Sequence, residues 1–488
     1  MKSTYIIFAI IITAVYGCEK KLDLAPVTNP TVNTFYKTPE DAAAAVTGVY
    51  SILEDIYTHE AVVTPNMVSA DDAVPFLQGN ADRRAIWSYN FVSTNSFINN
   101  PWALSYQGIQ RANVVISRMP GISLDENLKK RYIAEAKFIR AIMYFNLVRF
   151  YGGVPIVTNE TTSLENVEVP RSTKDEVYAL IETDLKEAEA VLPVKHTGTD
   201  IGRATQGAAR GLLAKVYLTQ AGNEVSSPNW AKAAAKAKEV MDMGIYDLWE
   251  NYADVFDIRN KVGKESLFEV LYLTDVNGNW HTTYWAPRGD PRVPSNGFGT
   301  VRPTKNLYDL YAANDKRKPV TFLTSYVNPT NGATVNLSID DPNPAVAISF
   351  WKLADLTSKV GGGGGKSFPY LRFPDILLVY AEALNEVNGP VMEAYAALNR
   401  VRARAGLAPL SGLTKAQFKD AVLTERRLEF VLEGNRWFDL VRTGRLVDAV
   451  KAETSFGRNP LIQPHHVLFP IPQREIGANT SLVQNPGY

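Results

Sequence analysis

The sequence predicts a mostly α-helical protein, a scaffold of tetratricopeptide-type helical hairpins interrupted once by a long loop- and short-strand-rich region. Three observations carry that prediction. Apolar residues recur at three- and four-residue spacing through much of the chain, the period of a helix that buries one face. Small residues (Ala208, Gly211, Ala233 and Ala237) stand at helical spacing in two consecutive segments, which permits close antiparallel packing, although strict 34-residue self-similarity is absent. Between about residues 247 and 369 the character changes: prolines, glycines and asparagines abound, strands such as SLFEVLYL are short, and helix signals are few. A long irregular stretch inside a folded chain is usually functional or a binding surface.

The elements follow in order. MKSTYIIFAIIITAVYGC has one basic residue, Lys2, then an uncharged, mostly apolar run from Tyr5 to Tyr16. Twelve residues are too few to span a bilayer core, which takes about 20 in a helix. The segment 1–17 therefore reads as a signal peptide. Gly17 directly before Cys18, the only cysteine in the chain, resembles the cleavage site of bacterial lipoproteins, with Tyr16 where a small residue is usual. Lipidation of Cys18 would anchor the chain to a membrane without spanning it and leave no disulfide; the alternative is an ordinary secretory signal with an incidental cysteine. Residues 18–35 are polar and proline-bearing and read as a lipidated tether.

The pattern then turns helical. Thr38 is placed as an N-cap, Pro39 at the first helical position and Glu40 and Asp41 in the first turn, where the helix dipole favours acids. Ala42, Val46, Val49, Leu53 and Ile56 supply the buried stripe. Further helices are expected at 102–119, 126–151, 174–192, 205–221, 230–243, 370–387, 391–405 and 415–441. The division this implies is a helical region at 36–246, an irregular region at 247–369 and a second helical region at 370–488, packed as one unit.

Composition and motifs exclude more than they assign. Lysine plus arginine equals aspartate plus glutamate, 51 each, so no basic excess exists to neutralise phosphates and nucleic acid is not an expected partner. GGGGGKS at 361–367 lacks the leading glycine of a phosphate-binding loop, since that position is Val360, and Pro369 blocks the helix the motif needs; a flexible linker is the better account. His59-Glu60 begins a zinc-protease motif whose second ligand position is Val63, and the adjacency of His465 and His466 is expected to point them apart. No G-x-S-x-G elbow occurs, and nothing local favours paired glycosidase carboxylates, which meet only in space. No catalytic residue, metal ligand or cofactor is therefore assigned; the acidic loop SIDDPNP at 338–344 offers oxygens that could coordinate calcium, with nothing else in support.

TERRLEFVLEGNRWFDLVRTGR, at 424–445, is the most densely charged stretch. Glu425, Glu429 and Glu433 are four apart; Arg426 is three before Glu429, Arg436 three after Glu433, and Asp439 three from both Arg436 and Arg442. These spacings predict a ladder of ion pairs along one helix, each worth about 0.2–0.5 kcal/mol if exposed. Gly434 marks a bend or a close backbone approach. Every charge has an opposite neighbour, which makes the stretch a structural staple and not an active site.

As an ordered series these segments resemble the SusD/RagB family of outer-membrane nutrient-binding lipoproteins. RYIAEAKFIRAIMYFNLVRFYGGVPIV (131–157) is similar to its signature helix, through Glu135, Ala136, Phe138, Arg140, Ala141 and Gly152-Gly153-Val154-Pro155. PYLRFPDILLVYAEALNEVNG (369–389), the charged stretch, the close VLFPIPQREIGANTSLVQNPGY (467–488) and PWALSYQGIQRANVVI complete the order. Pro374 departs from the pattern and is tolerable if the helix starts there. The resemblance implies a SusD-like fold and a non-catalytic, lipid-anchored protein of the outer membrane and cell surface. Such a protein captures an oligo- or polysaccharide, or in some members a peptide, for a SusC-like TonB-dependent transporter. A surface hydrolase sharing the signal and the helices is the rival reading.

Sugar rings present an apolar face bordered by hydroxyls, so a site for them needs flat aromatics flanked by amides, carboxylates or arginines. Two loop regions offer this: 67–100, with Asp71, Asp72, Arg83, Trp87 and Asn90, and 277–299, with Asn279, Trp280, Tyr284, Trp285 and Arg292. The alternative is that the loop tryptophans plug a loop-covered minor core. Trp102 and Trp437 sit on signature helices and are expected in the core.

Overall fold

The computed structural model describes residues 35–58, 61–163 and 168–488; the signal segment, Cys18 and His59-Glu60 lie outside the described residues. Helix α1 (Pro39–Thr58) starts as its sequence dictates: Thr38 Oγ1 accepts from the Asp41 amide, and the Asp41 carboxylate accepts from the amides of Lys37 and Thr38. A short helix α2 (Val63–Val68), strand β1 (Ala73–Pro75) and helix α3 (Ala81–Ser88) lead to α4 (Ser96–Arg118), capped by Asn95. Then come α5 (Glu126–Tyr151), capped by Asp125, α6 (Lys174–Val191), opened by a Thr173–Glu176 capping box, α7 (Gln206–Ala221) and α8 (Asn229–Asp242). Each long helix packs on the next: α1 on α4, α4 on α5, and so to α8. This is the stacked-hairpin architecture that the apolar spacing predicts, with α5 buried on nearly every side.

The chain then leaves the stack. Strands β2 (Ser266–Val270), β3 (Val301–Pro303), β4 (Phe322–Leu323), β5 (Ser325–Val327), β6 (Thr334–Asn336), β7 (Ser349–Phe350) and β8 (Phe368–Arg372) are short. Among them lie the small helices α9 (His281–Trp285), α10 (Lys305–Leu310) and α11 (Lys318–Thr321). Its first and last strands pair antiparallel, Ser266 opposite Arg372 and Val270 opposite Phe368, so departure and return run side by side. The stack resumes with α12 (Phe373–Asn388), which packs directly on α8 and carries Pro374 in its first turn, where its missing N–H is harmless. Helices α13 (Met392–Arg404) and α14 (Lys415–Glu429) follow against α12. The irregular region is thus an insert between two neighbouring helices of the stack. Gly211 serves that junction: a Cβ there would come within 2.6 Å of Leu267, 2.9 Å of Leu371 and 3.1 Å of Ile376, so it admits the β2–β8 pair and α12 and not, as its spacing suggested, α8.

The expected helix 415–441 is two. After α14 the chain turns through Leu432 and Gly434, both near φ +68, before α15 (Arg436–Arg442). The break redirects the ion pairs. Of the predicted local ladder only Asp439–Arg442 forms; Arg426 meets Asp439 across the break at 2.9 Å, and the glutamates reach across the fold. Glu429 meets Arg317, Arg372 and Arg404 at 3.2, 3.0 and 2.5 Å. Glu433 meets Arg372 at 2.7 Å and also Lys352, while Glu425 meets Arg317 at 2.6 Å and Arg402 at 3.1 Å. Glu265 pairs with Arg372 and Arg404, and Asp315 with Arg317. Burial alone would raise the Glu429 carboxyl, but Arg404, Arg372 and Arg317 together hold it down at about 2. Five acids and five bases form one connected cluster, buried except for the half-buried Arg402. Glu265, Asp315, Arg317, Lys352 and Arg372 come from the insert or its edge, the rest from the helical stack.

Candidate functional site

Helix α9 sorts the rings of the insert. Trp280 and Tyr284 are four apart and share its outer face, where they stack at 5.6 Å and 27°. His281 and Trp285, one position on, share the inner face and stack at 4.7 Å and 8°, and Trp285 is only 3% exposed. Phe298 completes the outer group, 5.9 Å from Tyr284 and 6.5 Å from Trp280. Trp280, Tyr284 and Phe298 are half-buried, so part of each residue reaches the protein surface.

The rings are held by backbone. The Trp280 amide donates to Thr58 Oγ1 at the end of α1 (3.2 Å), and His281 Nε2 lies 2.7 Å from the carbonyl of Tyr57. The amides of Phe298 and Thr300 donate to the carbonyls of Thr283 and Tyr284, which ties β3 to α9. Strand β1 pairs with β3, Val74 opposite Arg302, and the Phe76 amide donates to Thr300 O. The two loop regions singled out from sequence therefore meet, and Arg288 lies over the half-buried ring of Phe76, 4.9 Å from its centre.

The glycine run is not a flexible linker. Gly364 and Asn279 exchange amide–carbonyl hydrogen bonds at 3.1 and 2.8 Å, and the Gly365 amide donates to Asp355 Oδ2 at 2.6 Å. Residues 363–365 are buried.

The other residues nominated from sequence sit deeper. Asn279 is buried; its amide nitrogen donates to Lys366 O (2.7 Å) and its oxygen accepts from the His281 amide (3.0 Å). Asp71 and Asp72 are buried beneath α14 and α15, paired with Arg436 and Arg427 at 2.7 Å each. Burial opposes ionisation of Asp71, but Arg436 and Arg427 hold its carboxyl well below the usual range; burial, aided by the charge of Asp71, pushes Asp72 up. Arg83 is buried over the ring of Phe97, and Trp87 is buried under the Arg458 guanidinium. Asp71, Asp72, Arg83, Trp87, Asn279 and Trp285 are thus buried, Asn279 by hydrogen bonds to backbone and the others by a charge or ring partner. Arg292 is half-buried, bound bidentate to Asp290 (3.0 and 2.7 Å) and packed over Tyr326 and Trp351. Phe298, Phe76 and Arg288 were not nominated from sequence, although Phe298 and Arg288 lie in the loop 277–299 and Phe76 in 67–100, and the glycine run was read only as a linker.

Other concave surfaces differ in chemistry. A depression of about 490 Å³ beside α14 and α15 is lined by Arg427, Arg436, Asp439 and Arg445, each of them in an ion pair. A mostly apolar cavity of about 720 Å³ lies along residues 194–205 and 261–269, with Glu269 in its wall. Burial pushes the Glu269 carboxyl up to about 7, against the Val262 amide and Lys261. In the acidic loop, Asp341 Oδ1 accepts from the Asn343 amide (2.8 Å), an oxygen turned onto its own backbone. Among the described residues no group of three or more His, Cys, Asp or Glu stands together as a metal site, and no helix is long and apolar enough to cross a membrane.

Comparison with known proteins bears on this site. A family model described as the SusD family matches residues 320–488, and a second, described as starch-binding and associating with the outer membrane, matches 26–218. The SusD-like protein P25 of Formosa agariphila is 27% identical, with 99% of each chain covered. A solved laminarin-binding SusD-like protein superposes with a TM-score of 0.80 at 29% identity, covering 93% of this chain and 100% of the other. Surface glycan-binding protein A of Bacteroides thetaiotaomicron, solved in complex with laminarihexaose, superposes at 0.79 and 25% identity, over 92% and 100%.

Proposed function

The chain belongs to the SusD family, and on that premise we propose that it is a non-catalytic, cell-surface glycan-binding lipoprotein. In this reading Cys18 carries the lipid anchor, the ligand is an oligo- or polysaccharide, and the captured glycan passes to a SusC-like TonB-dependent transporter in the outer membrane. The observation that supports it best is the Trp280–Tyr284–Phe298 platform: three half-buried rings, fixed by backbone, at the surface of an insert that the helical stack holds rigidly. A pyranose face laid on such a ring makes apolar contact over one side while its hydroxyls stay at the polar rim. One stacked ring is worth about 1 kcal/mol, so useful affinity needs several sugar units across the platform, which favours a polymer over a monosaccharide. Capture requires no proton transfer, and the acids nominated from sequence are engaged in ion pairs beneath the surface.

Affinity electrophoresis of the full chain against laminarin, starch and a wider polysaccharide panel, with peptide pools in parallel, tests the reading. Retardation by at least one polysaccharide, lost in Trp280→Ala and unaccompanied by new reducing ends, is expected. Release of reducing ends would replace capture with hydrolysis, and binding confined to peptides would replace the glycan.

A further inference from the structure

Resting on the platform reading, we propose that residues 361–365 are the positioning element of the site: a strand of bare backbone against which the Trp280 indole lies, its lack of side chains setting where that ring stands. The contacts are close. A Cβ at Gly362 would fall 2.4 Å from Cε2 of the indole and 2.7 Å from Cζ2 and Nε1, and one at Gly361 would fall 3.7 Å from Cζ3. The edge of the ring therefore follows the peptide chain. Each other position in the run is filled as tightly. A Cβ would meet Ser295 Oγ at 2.4 Å from Gly361, Asp275 Oδ1 at 2.3 Å from Gly363, Asn279 Oδ1 at 2.9 Å from Gly364 and Thr274 Oγ1 at 2.1 Å from Gly365. Gly278 faces the same strand, with the backbone of Gly363 2.4 Å from where its Cβ would be.

Ordering five consecutive glycines is unfavourable, because glycine loses more backbone freedom than any other residue, roughly 0.5–1 kcal/mol each relative to alanine. The run is ordered all the same. Asp275 N–H donates to Gly363 O, Asn279 and Gly364 bond both ways, and Gly363 N–H donates to Val360 O. What offsets the loss is an approach of two backbones and a ring that any side chain would forbid. Gly362 has a second reason, since its φ of +77 is a conformation that side-chain-bearing residues rarely adopt.

The test labels the full chain with 5-fluorotryptophan and assigns the Trp280 resonance among the eight tryptophans by its loss in Trp280→Phe. Gly362→Ala is expected to move the Trp280 resonance and leave the others, and to weaken retention by the polysaccharide probe laminarin about fivefold, the equivalent of one ring contact. Gly332→Ala isolates backbone strain, because Gly332 has φ +71 with open space where the Cβ would go; it should change neither reading. Melting temperatures close the cycle: Gly362→Ala should lower the melting temperature more in the Trp280 chain than in Trp280→Ala. If Gly362→Ala alone does not fold, recovery of folding in the Trp280→Ala double variant supports the assignment, and failure of both overturns it. An unmoved Trp280 resonance in a folded Gly362→Ala chain also overturns it. A wild-type chain that retains no polysaccharide removes the ligand reading and leaves the resonance test standing.

Discussion

Replacing Arg372 with methionine takes one cation out of the buried cluster that joins the insert to the helical stack. Arg372 is 2% exposed and meets Glu265 at 2.5 Å, Glu429 at 3.0 Å and Glu433 at 2.7 Å. Its loss leaves five carboxylates against four cations: Glu265 keeps Arg404, Glu429 keeps Arg317 and Arg404, and Glu433 keeps Lys352. Removing one member of a buried pair costs about 3–5 kcal/mol, mostly the desolvation of the charge left behind. Methionine fills much of the volume, so that range is electrostatic and not a cavity effect.

The pH dependence identifies the cause. In the wild type Glu429 titrates near 2 in the folded state, below its ordinary 4.5, so its contribution is full above about 4.5 and is lost as the pH falls toward 2. With Arg372 gone, the surplus carboxylate has a raised pKa and regains a proton in mild acid. The deficit of Arg372→Met should therefore be largest near pH 7.5 and shrink by about half at pH 4.5. Urea unfolding of both chains at the two pH values, followed by tryptophan fluorescence, measures it. A deficit below about 1 kcal/mol at pH 7.5, or one equal at both pH values, would refute the claim that the cluster is an electrostatic weld.

Trp285→Ala should destabilise the fold by about 3–5 kcal/mol as a buried ring, whereas Trp280→Ala should cost about 1 kcal/mol and remove glycan retention; thermal melts beside affinity gels separate the two. Glu269, raised to about 7 by burial, makes the fold lose stability as the pH climbs from 4.5 to 7, on the order of 3 kcal/mol; Glu269→Gln should flatten that slope in melts across the range. Cys18→Ser should shift the protein from the membrane to the soluble fraction in cell fractionation, and a chain that stays with the membrane would show that the anchor is elsewhere.

The helices were legible because their information is local. Thr38, Asn95, Asp125 and Thr173 cap helices whose apolar spacing was already clear, and α5 is bounded where its motif predicts. The charged stretch was legible in role and not in partners. Its sequence spacing pointed to neighbours on the same helix, but the helix ends before a turn at Leu432 and Gly434, and Glu429 and Glu433 meet Arg317, Lys352 and Arg372, 57 to 112 residues away. The site divides the same way. The loop 277–299 stood out by its ring content, yet which ring reaches the surface depended on five helical residues, His281 to Trp285, too short a helix for periodicity to detect. Asp71 and Asp72 read as ligand groups because their arginine partners lie 355 and more positions along the chain.

That division explains how an insert with little regular structure can present a fixed platform. Its strands are two to five residues long, and pairing alone would not hold them. Rigidity comes instead from three attachments of different chemistry: the β2–β8 pair at the base, the buried ion cluster along one flank, and the backbone bonds that tie α9 to the end of α1. The first two anchor in the helices and in residues 425–433, which the family pattern also marks; the third carries the rings. Loops between those anchor points are free to differ in sequence without loosening the fold, provided that each keeps its charge partner. An insert built this way separates holding from recognition. The charges that look most chemical in the sequence do the holding, and in the proposed reading recognition falls to Trp280, Tyr284 and Phe298, which pack against one another.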